Sequence, residues 1–430
     1  MSRKVFLSFL GTSIYKPTFY VATGQNENEV RSTRFIQEAL IDHFCKDFTQ
    51  DDIIIILTTS DAHHNWDRDV HYDNNNKENV LYDGLKTRIE KLKLNATYTN
   101  LPIPDGKSTN EIWNIFQKTY NAIGNCDELI FDITHGFRSL PMLNMVLINY
   151  AKLLKNISVK GIYYGNYEAR YKLGEQTYSP IWDLKDFERL QEWTNSAQLF
   201  VKAGYAERIS ELMKENRIQG ANQINEFCQE VLTNRCIRLT EGSSSIAIKN
   251  MLTATKDEDI HPVIRPIFEL IEKEFSDYDE KNVLNGLLAV KWCIAHDLIQ
   301  QGYTIMSEFL PTYILNFVEE DFVNKASRGT VNGILGISGK VEKFNFTEDI
   351  KKEQIRILNK VVAMPYFKEL CQRNRSINAQ NRDDINHGGF RPNPKSYKDL
   401  KTELVEKFKK LKDVIDKIEK YRITHAPKSL

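Results

Sequence analysis

Near its carboxyl end the chain reads Arg382-Asp383-Asp384-Ile385-Asn386-His387, followed by Gly388-Gly389. A guanidinium can stabilise the extra negative charge of a pentacoordinate phosphate, and an imidazole moves protons near neutral pH. The pair suffices for RNA cleavage without a metal. The 2′-hydroxyl would attack its own phosphate, leaving a 2′,3′-cyclic phosphate and a free 5′-hydroxyl. On a continuous helix, residues five apart point about 140° apart. One chain therefore aims both groups at one phosphate only if the helix frays at Gly388. A two-fold dimer that pools two arginines and two histidines in one cleft relieves the difficulty. The plainer reading of the hexapeptide is a solvated helix end.

Two other stretches suit an anion. Leu10-Gly11-Thr12-Ser13 closes the first apolar run; its glycine lets backbone amides approach a phosphate, and the hydroxyls of Thr12 and Ser13 can donate to it. Asp132-Ile133-Thr134-His135-Gly136-Phe137-Arg138-Ser139 packs a hydroxyl, an imidazole, a glycine and a guanidinium into a second turn. There Arg138 and helix N-terminal amides would bind phosphate, while His135 or Phe137 could stack on a base. The plainer readings are an ordinary tight turn and a helix-capping turn. In an open α/β sheet both stretches fall on the same rim, at the carboxyl ends of the strands. Ser60, Asp61 and Tyr164-Gly165 end further strands on that rim. Neither stretch is the G-x-G-x-x-G dinucleotide fingerprint, which disfavours a dehydrogenase. His63, His64, Asp67 and His71 imitate a metal cluster, but Asn74-Asn75-Asn76 and Lys77 mark a polar loop, and no metal is expected. The run Lys409, Lys410, Lys412 reads as a solvated helix face that could also track RNA.

The elements that must hold these turns follow from periodicity. Between Lys4 and about Leu184 short β-rich runs alternate with amphipathic stretches, the pattern of βαβ units and a mainly parallel, doubly wound sheet. Strands are predicted at Val5–Leu10, Ile53–Thr58, Ala96–Leu101, Glu128–Ile133 and Val159–Tyr164, with helices near Arg31–Phe48, Asn79–Leu92, Asn110–Ile123 and Ser139–Leu154. Beyond Asp186 helical spacing takes over, as in Leu190–Lys214, Asn282–Gln301 and Leu400–Tyr421. The stretch from Gly329 through Gly333 and Gly336 to Gly339 is expected as a flexible surface loop. These changes divide the chain into residues 1–185, a helical linker or insertion over 186–280, and a second helical domain over 281–430.

A chain of 430 residues exceeds what one core usually supports, so more than one domain is expected. Its 41% hydrophobic and 27% charged residues are a globular composition. Lysine plus arginine balance aspartate plus glutamate at 58 each, so any nucleic-acid contact must be local. The six cysteines form no C-x-x-C pair, which fits reduced thiols. With no secretory leader and no long apolar run, the expected location is the cytoplasm, with no membrane partner.

The opening Lys4–Thr12, the segment Thr33–Leu40 and the stretch Phe131–Pro141 resemble CRISPR-associated CARF-domain proteins of type III systems. Among these the chain is similar to the CARF–HEPN ribonucleases. The resemblance implies an α/β Rossmann-like CARF domain followed by an all-α HEPN domain, whose motif is matched by Arg382, Asp383 and His387, with Asn386 between them. Asp383 stands where the family often carries asparagine. The family's nucleotide-binding positions fall here on Gly11, Thr12, Thr134, His135, Gly136 and Arg138, beside Ser13 and Phe137. The likeness further implies a homodimer that binds a cyclic oligoadenylate, expected to be cyclic tetra-adenylate, and cleaves RNA with no required cofactor. Two other functions compete: a ring nuclease that degrades the cyclic activator within the CARF domain, and a ligand-gated transcription regulator. The neutral charge and the lack of a basic recognition helix weigh against the regulator.

Overall fold

The structure is a computed structural model and describes residues 2–13, 15–27, 30–73, 78–136, 140–254, 262–337, 339–340, 343, 351–378 and 381–425. It divides into two compact units, Met1–Arg189 and Leu190–Leu430.

The first unit runs β1 (Lys4–Phe9), β2 (Thr18–Ala22), β3 (Ser32–Thr33), α1 (Ile36–Phe44), β4 (Ile53–Thr58), α2 (His63–Asp67), β5 (Arg68–Asp73), β6 (Glu78–Asp83), α3 (Leu85–Lys91), β7 (Thr97–Pro102), α4 (Thr109–Ala122), β8 (Glu128–Asp132), α5 (Leu140–Lys155), β9 (Ser158–Gly165), β10 (Tyr171–Leu173) and β11 (Gln176–Asp183). The sheet order is β3-β2-β11-β9-β8-β1-β4-β7, with β10 on β11. Its centre, β9-β8-β1-β4-β7, is parallel throughout. The alternation of side chains along a strand explains why these runs carry no polar face. Phe6, Ile54, Ile56 and Ile130 point into one core with Ile36, Leu40 and Ile89 of α1 and α3. Val5, Leu7, Ile55, Leu57, Leu129 and Phe131 point into the other with Ile115 of α4 and Leu147, Ile148 and Ala151 of α5. Each central strand is thus apolar on both sides because a helical layer covers both.

Several expectations need correction here. The predicted helix Asn79–Leu92 keeps only α3, because Glu78–Asp83 pairs antiparallel with Arg68–Asp73 in a two-stranded ribbon. Likewise the predicted helix Arg31–Phe48 shrinks to α1, with Ser32–Thr33 paired to β2. The sheet also extends past β9 through β11, which runs antiparallel to β9, and β2.

The second unit is helical: α6 (Lys185–Ala203, begun in the first unit), α7 (Glu207–Glu215), α8 (Ala221–Leu232), α9 (Cys236–Glu241), α10 (Ser243–Ala254), α11 (Arg265–Phe275), α12 (Asn285–Ala295), α13 (Ile299–Phe317), α14 (Lys325–Gly336), α15 (Lys351–Val362), α16 (Phe367–Asn378), α17 (Asn381–Asn386) and α18 (Tyr397–His425). One core, from Trp193 and Phe200 through Trp292, Tyr303 and Leu370 to Ile418, holds them together. Leu190–Lys214 is two helices, broken at Gly204, whose left-handed φ of 65° and missing side chain admit the Trp292 ring. Asn282–Gln301 likewise breaks between α12 and α13, where Asp297 has φ 60°. The glycine-punctuated stretch is no loop up to Gly336. Asn324 caps α14 by accepting from the amides of Ala326 and Ser327 (2.9 and 3.1 Å), and Val331, Ile334 and Leu335 bury its inner face. Gly329 and Gly336 have open space where a side chain would stand, so burial on one face overrides their poor helix propensity.

Candidate functional site

Strand order locates the first site. From β1 the chain moves outward to β4 and β7, then returns to the opposite side of β1 for β8 and β9. The crevice beyond the carboxyl ends of β1 and β8 is therefore the switch point where open α/β sheets receive ligands. A cleft of about 410 Å³ lies there, lined by Gly11, Thr12 and Ser13 after β1 and by Thr134, His135 and Gly136 after β8. The two turns singled out in the sequence, over a hundred residues apart, thus share one cavity. Phe137 and Arg138 lie outside the described residues.

Hydrogen bonds beneath the cleft explain its shape. Asp132, fully buried at the end of β8, accepts from the Ser8 hydroxyl (2.6 Å) of β1 and from the Thr134 amide and hydroxyl (2.9 and 2.5 Å). Burial pushes its carboxyl above the ordinary range, against the opposing pull of the bonds from Ser8 and Thr134. The Thr134 hydroxyl in turn accepts from the Gly165 amide (2.8 Å) at the end of β9. It is committed on both sides and joins the ends of β8 and β9. On the other side, buried Asn65 of α2 donates to the carbonyls of Gly11 and Ser13 (2.9 and 3.2 Å). Buried Gln37 of α1 donates to the Phe9 carbonyl (2.8 Å).

Gly11 is required by close approach. A methyl group there would stand 2.6 Å from the Tyr15 hydroxyl and 3.3 Å from His135 Cβ and Cγ. The His135 ring meets Tyr15 edge-on, with centroids 4.9 Å apart. Burial lowers the imidazole to about 4, so it is neutral near pH 7, and its enclosed Nε2 has no partner. Thr12 and Ser13 are exposed at the mouth.

The far wall comes from residues that the motif reading missed: Thr59, Asp105, Gly106 and Lys107, beside Asp61. Asp105 accepts from the Ser60 amide and hydroxyl (3.2 and 2.8 Å) and pairs with Lys107 (2.8 Å). Ser108 then caps α4 through the Glu111 amide (3.2 Å), and Glu111 accepts from the Lys107 amide (2.9 Å). The signal was present: Asp105-Gly106 follows β7, and Ser108 with Glu111 three residues on has the spacing of a capping box. The strand-end rule applied to β1 and β8 reaches this turn equally. His63 faces Asp67 (3.5 Å) and His64 the Asp61 carbonyl (2.7 Å), while the side chain of His71 lies outside the described residues.

The second site sits in the helical unit. Helix α17 stops at Asn386, and Gly388 and Gly389 follow with φ of 63° and 73°, the left-handed turn that ends helices. Amides of Gly388 and Gly389 return to the carbonyls of Ile385 and Asp384 (3.0 and 2.8 Å). His387 and Asn386 are therefore exposed at the end of the helix, and His387 is freed from its angular spacing. Arg382 is half-buried and donates from Nη1 to Ser307 Oγ (3.0 Å) on α13. No hydrogen bond or ion pair joins Arg382 to His387 among the described residues. The side chain of Asp383 lies outside them.

Neighbours of Arg382 anchor the turn. Buried Asn381 donates to the Tyr303 hydroxyl (2.6 Å) and to Glu403 (2.7 Å). Burial works against the Glu403 carboxylate, yet bonds from Lys395, Asn381 and Lys407 outweigh it and hold the carboxyl at about 2. Buried Asp384 accepts from the Lys395 amide (3.0 Å), with Arg391 Nε 3.7 Å away, pinning the return loop.

Stretches of both units resemble known proteins. Residues 5–168 match the family model of the CARF domain of the CRISPR system endoribonuclease Csx1. The first unit is a CARF domain of the kind found in CRISPR-associated proteins. Residues 189–282 match the second domain of CRISPR-associated protein MJ1674. The curated MJ1674 of Methanocaldococcus jannaschii is 24% identical over 268 residues, 60% of this chain. The alignment spans only 40% of that longer protein. Among solved structures the chain is similar to Enterococcus italicus Csm6 bound to cyclic hexa-2′-fluoro-hexa-dAMP, over 97% of this chain and 94% of that one, at TM-score 0.40 and 10% identity. No helix among the described residues is long and apolar enough to cross a membrane.

Proposed function

We propose that this chain is a metal-independent endoribonuclease of type III CRISPR defence, controlled by a cyclic oligoadenylate bound at the switch-point cleft. The observation that carries the sensing half is the shared cleft of Gly11–Ser13 and Thr134–Gly136 in a unit whose sequence matches the CARF model. Amides at the glycine turns, with the Thr12 and Ser13 hydroxyls, receive phosphodiesters. Thr134 and His135 shape the cleft, one braced between strand ends and the other packed on Tyr15.

Cleavage falls to Arg382 and His387, in a HEPN-type helical domain paired in a homodimer. The 2′-oxygen bonds to phosphorus while the bond from phosphorus to the 5′-oxygen breaks. One histidine takes the 2′-hydroxyl proton and one returns a proton to the 5′-oxygen, while arginine holds the phosphorane charge. Ser307 fixes the guanidinium, and the turn at Gly388 presents the imidazole. A ligand that prefers one arrangement of the dimer raises the rate by its differential affinity for that arrangement.

The test is cleavage of a fluorescent RNA in EDTA, with cyclic tetra- or hexa-adenylate. Cleavage should rise with the tetramer and fall by at least about 100-fold in Arg382→Ala and His387→Ala. Cleavage that ignores both activators, or both substitutions, removes the proposal.

A further inference from the structure

Beyond His387 the chain leaves α17 through a loop whose shape is fixed from several sides. The Phe390 amide donates to the His387 carbonyl (3.2 Å) and the Arg391 amide to the Gly389 carbonyl (2.7 Å), within the left-handed turn of Gly388 and Gly389. The far end is held where buried Asp384 accepts from the Lys395 amide (3.0 Å). Pro392 and Pro394 restrict the backbone in between. On this pinned loop stands Phe390, 93% exposed, whereas Phe200, Phe275 and Phe309 of the same unit are buried. Its ring lies beside the residue next to His387: a methyl group at Gly388 would stand 3.6 Å from it.

The surroundings of the ring select its partner. Between Asn386 and Ser396 it has only prolines for apolar company, while an aromatic anchor of a protein interface sits in a packed pocket within a wider contact patch. A lone exposed ring beside cations is instead a platform on which the bases of a single strand stack. Arg391 comes next in the chain, its Nε 3.7 Å from Asp384 and the residue as a whole exposed. No acidic residue lies between His387 and Lys395, which suits a phosphate backbone. We infer that Phe390 stacks on a base of the single-stranded RNA substrate, at the nucleotide beside the scissile phosphate, and so sets the register in which that phosphate meets Arg382 and His387. The inference rests on the ribonuclease reading given above. Because the loop is already pinned, stacking costs little further ordering. Every base has a π face, so the contact requires that a base be present and is indifferent to which one.

The test is binding of a fluorescent single-stranded 2′-O-methyl RNA, which lacks the attacking hydroxyl, to the full chain by anisotropy. Phe390→Ala and Phe390→Leu should each weaken binding by at least about fivefold, and Phe390→Trp should retain it. Walking one abasic nucleotide along the strand should find a position that costs wild type the same factor and costs Phe390→Ala nothing further. Since the side chain is already exposed, the variants should keep the wild-type melting midpoint and sedimentation coefficient. Wild-type affinity in Phe390→Leu, or losses that add between the abasic site and Phe390→Ala, overturn the stacking. So does a changed sedimentation coefficient, which would make the ring a contact between copies of the chain. A wild type that cleaves RNA in EDTA while Phe390→Ala binds it normally refutes the stacking alone, whereas a wild type that neither binds nor cleaves RNA removes the ribonuclease reading and the stacking with it.

Discussion

Asp132 carries the mechanical load of the CARF cleft, and its removal has a calculable cost. Asp132→Ala deprives three donors of their acceptor at once: the Ser8 hydroxyl, the Thr134 amide and the Thr134 hydroxyl. Ser8 keeps a long alternative, the Phe9 carbonyl at 3.4 Å, and the substitution also removes a carboxyl that burial disfavours when charged. Leaving two or three buried donors unpaired costs about 2–4 kcal/mol in total. For a unit of this size that lowers the melting midpoint by about 5–12 °C. Calorimetry of the full chain should show this drop in one transition, assigned to the first unit by hydrogen exchange of peptides from β1 and β8. The pH dependence has a definite sign. A carboxyl raised on folding contributes stability that is complete below its unfolded value near 4 and is lost as pH rises through the folded value. The gap between wild type and Asp132→Ala should therefore be widest in acid and narrow as pH rises. A midpoint within about 1 °C of wild type in acid, or a gap that widens with pH, refutes the reasoning.

Other outcomes follow from the same geometry. Gly11→Ala places a methyl 2.6 Å from the Tyr15 hydroxyl, which should cost about 1–3 kcal/mol and weaken cyclic-oligoadenylate binding. Calorimetric titration checks it, with exposed Thr12→Ala as the variant that should leave the melting midpoint unchanged. His135, held near 4 by burial, contributes stability present above about 6.5 and lost as pH falls toward the folded value. Wild type should thus lose more of its urea midpoint than His135→Gln between those limits, and parallel curves would contradict the burial argument.

What the amino-acid sequence alone determined is local in origin. Val5–Leu10 and Ile53–Thr58 have no polar alternation, which only a strand covered on both faces tolerates, and β1 and β4 occupy those runs within a residue. The turns at Gly11 and Thr134 were legible because strand ends of a parallel sheet share a rim. Tertiary structure decided the rest, because it depends on partners distant along the chain. Only strand order makes the β1–β8 crevice the switch point, and only packing brings Asn65, Asp105 and Lys107 to it. Burial of Val331, Ile334 and Leu335 turns a glycine-rich stretch into helix. At the other site the hexapeptide showed an arginine and a histidine, but not that Ser307 holds one while two left-handed glycines release the other. Spacing along a chain reports which groups are near in sequence, whereas hydrogen-bond and burial energies are settled by what folds against them.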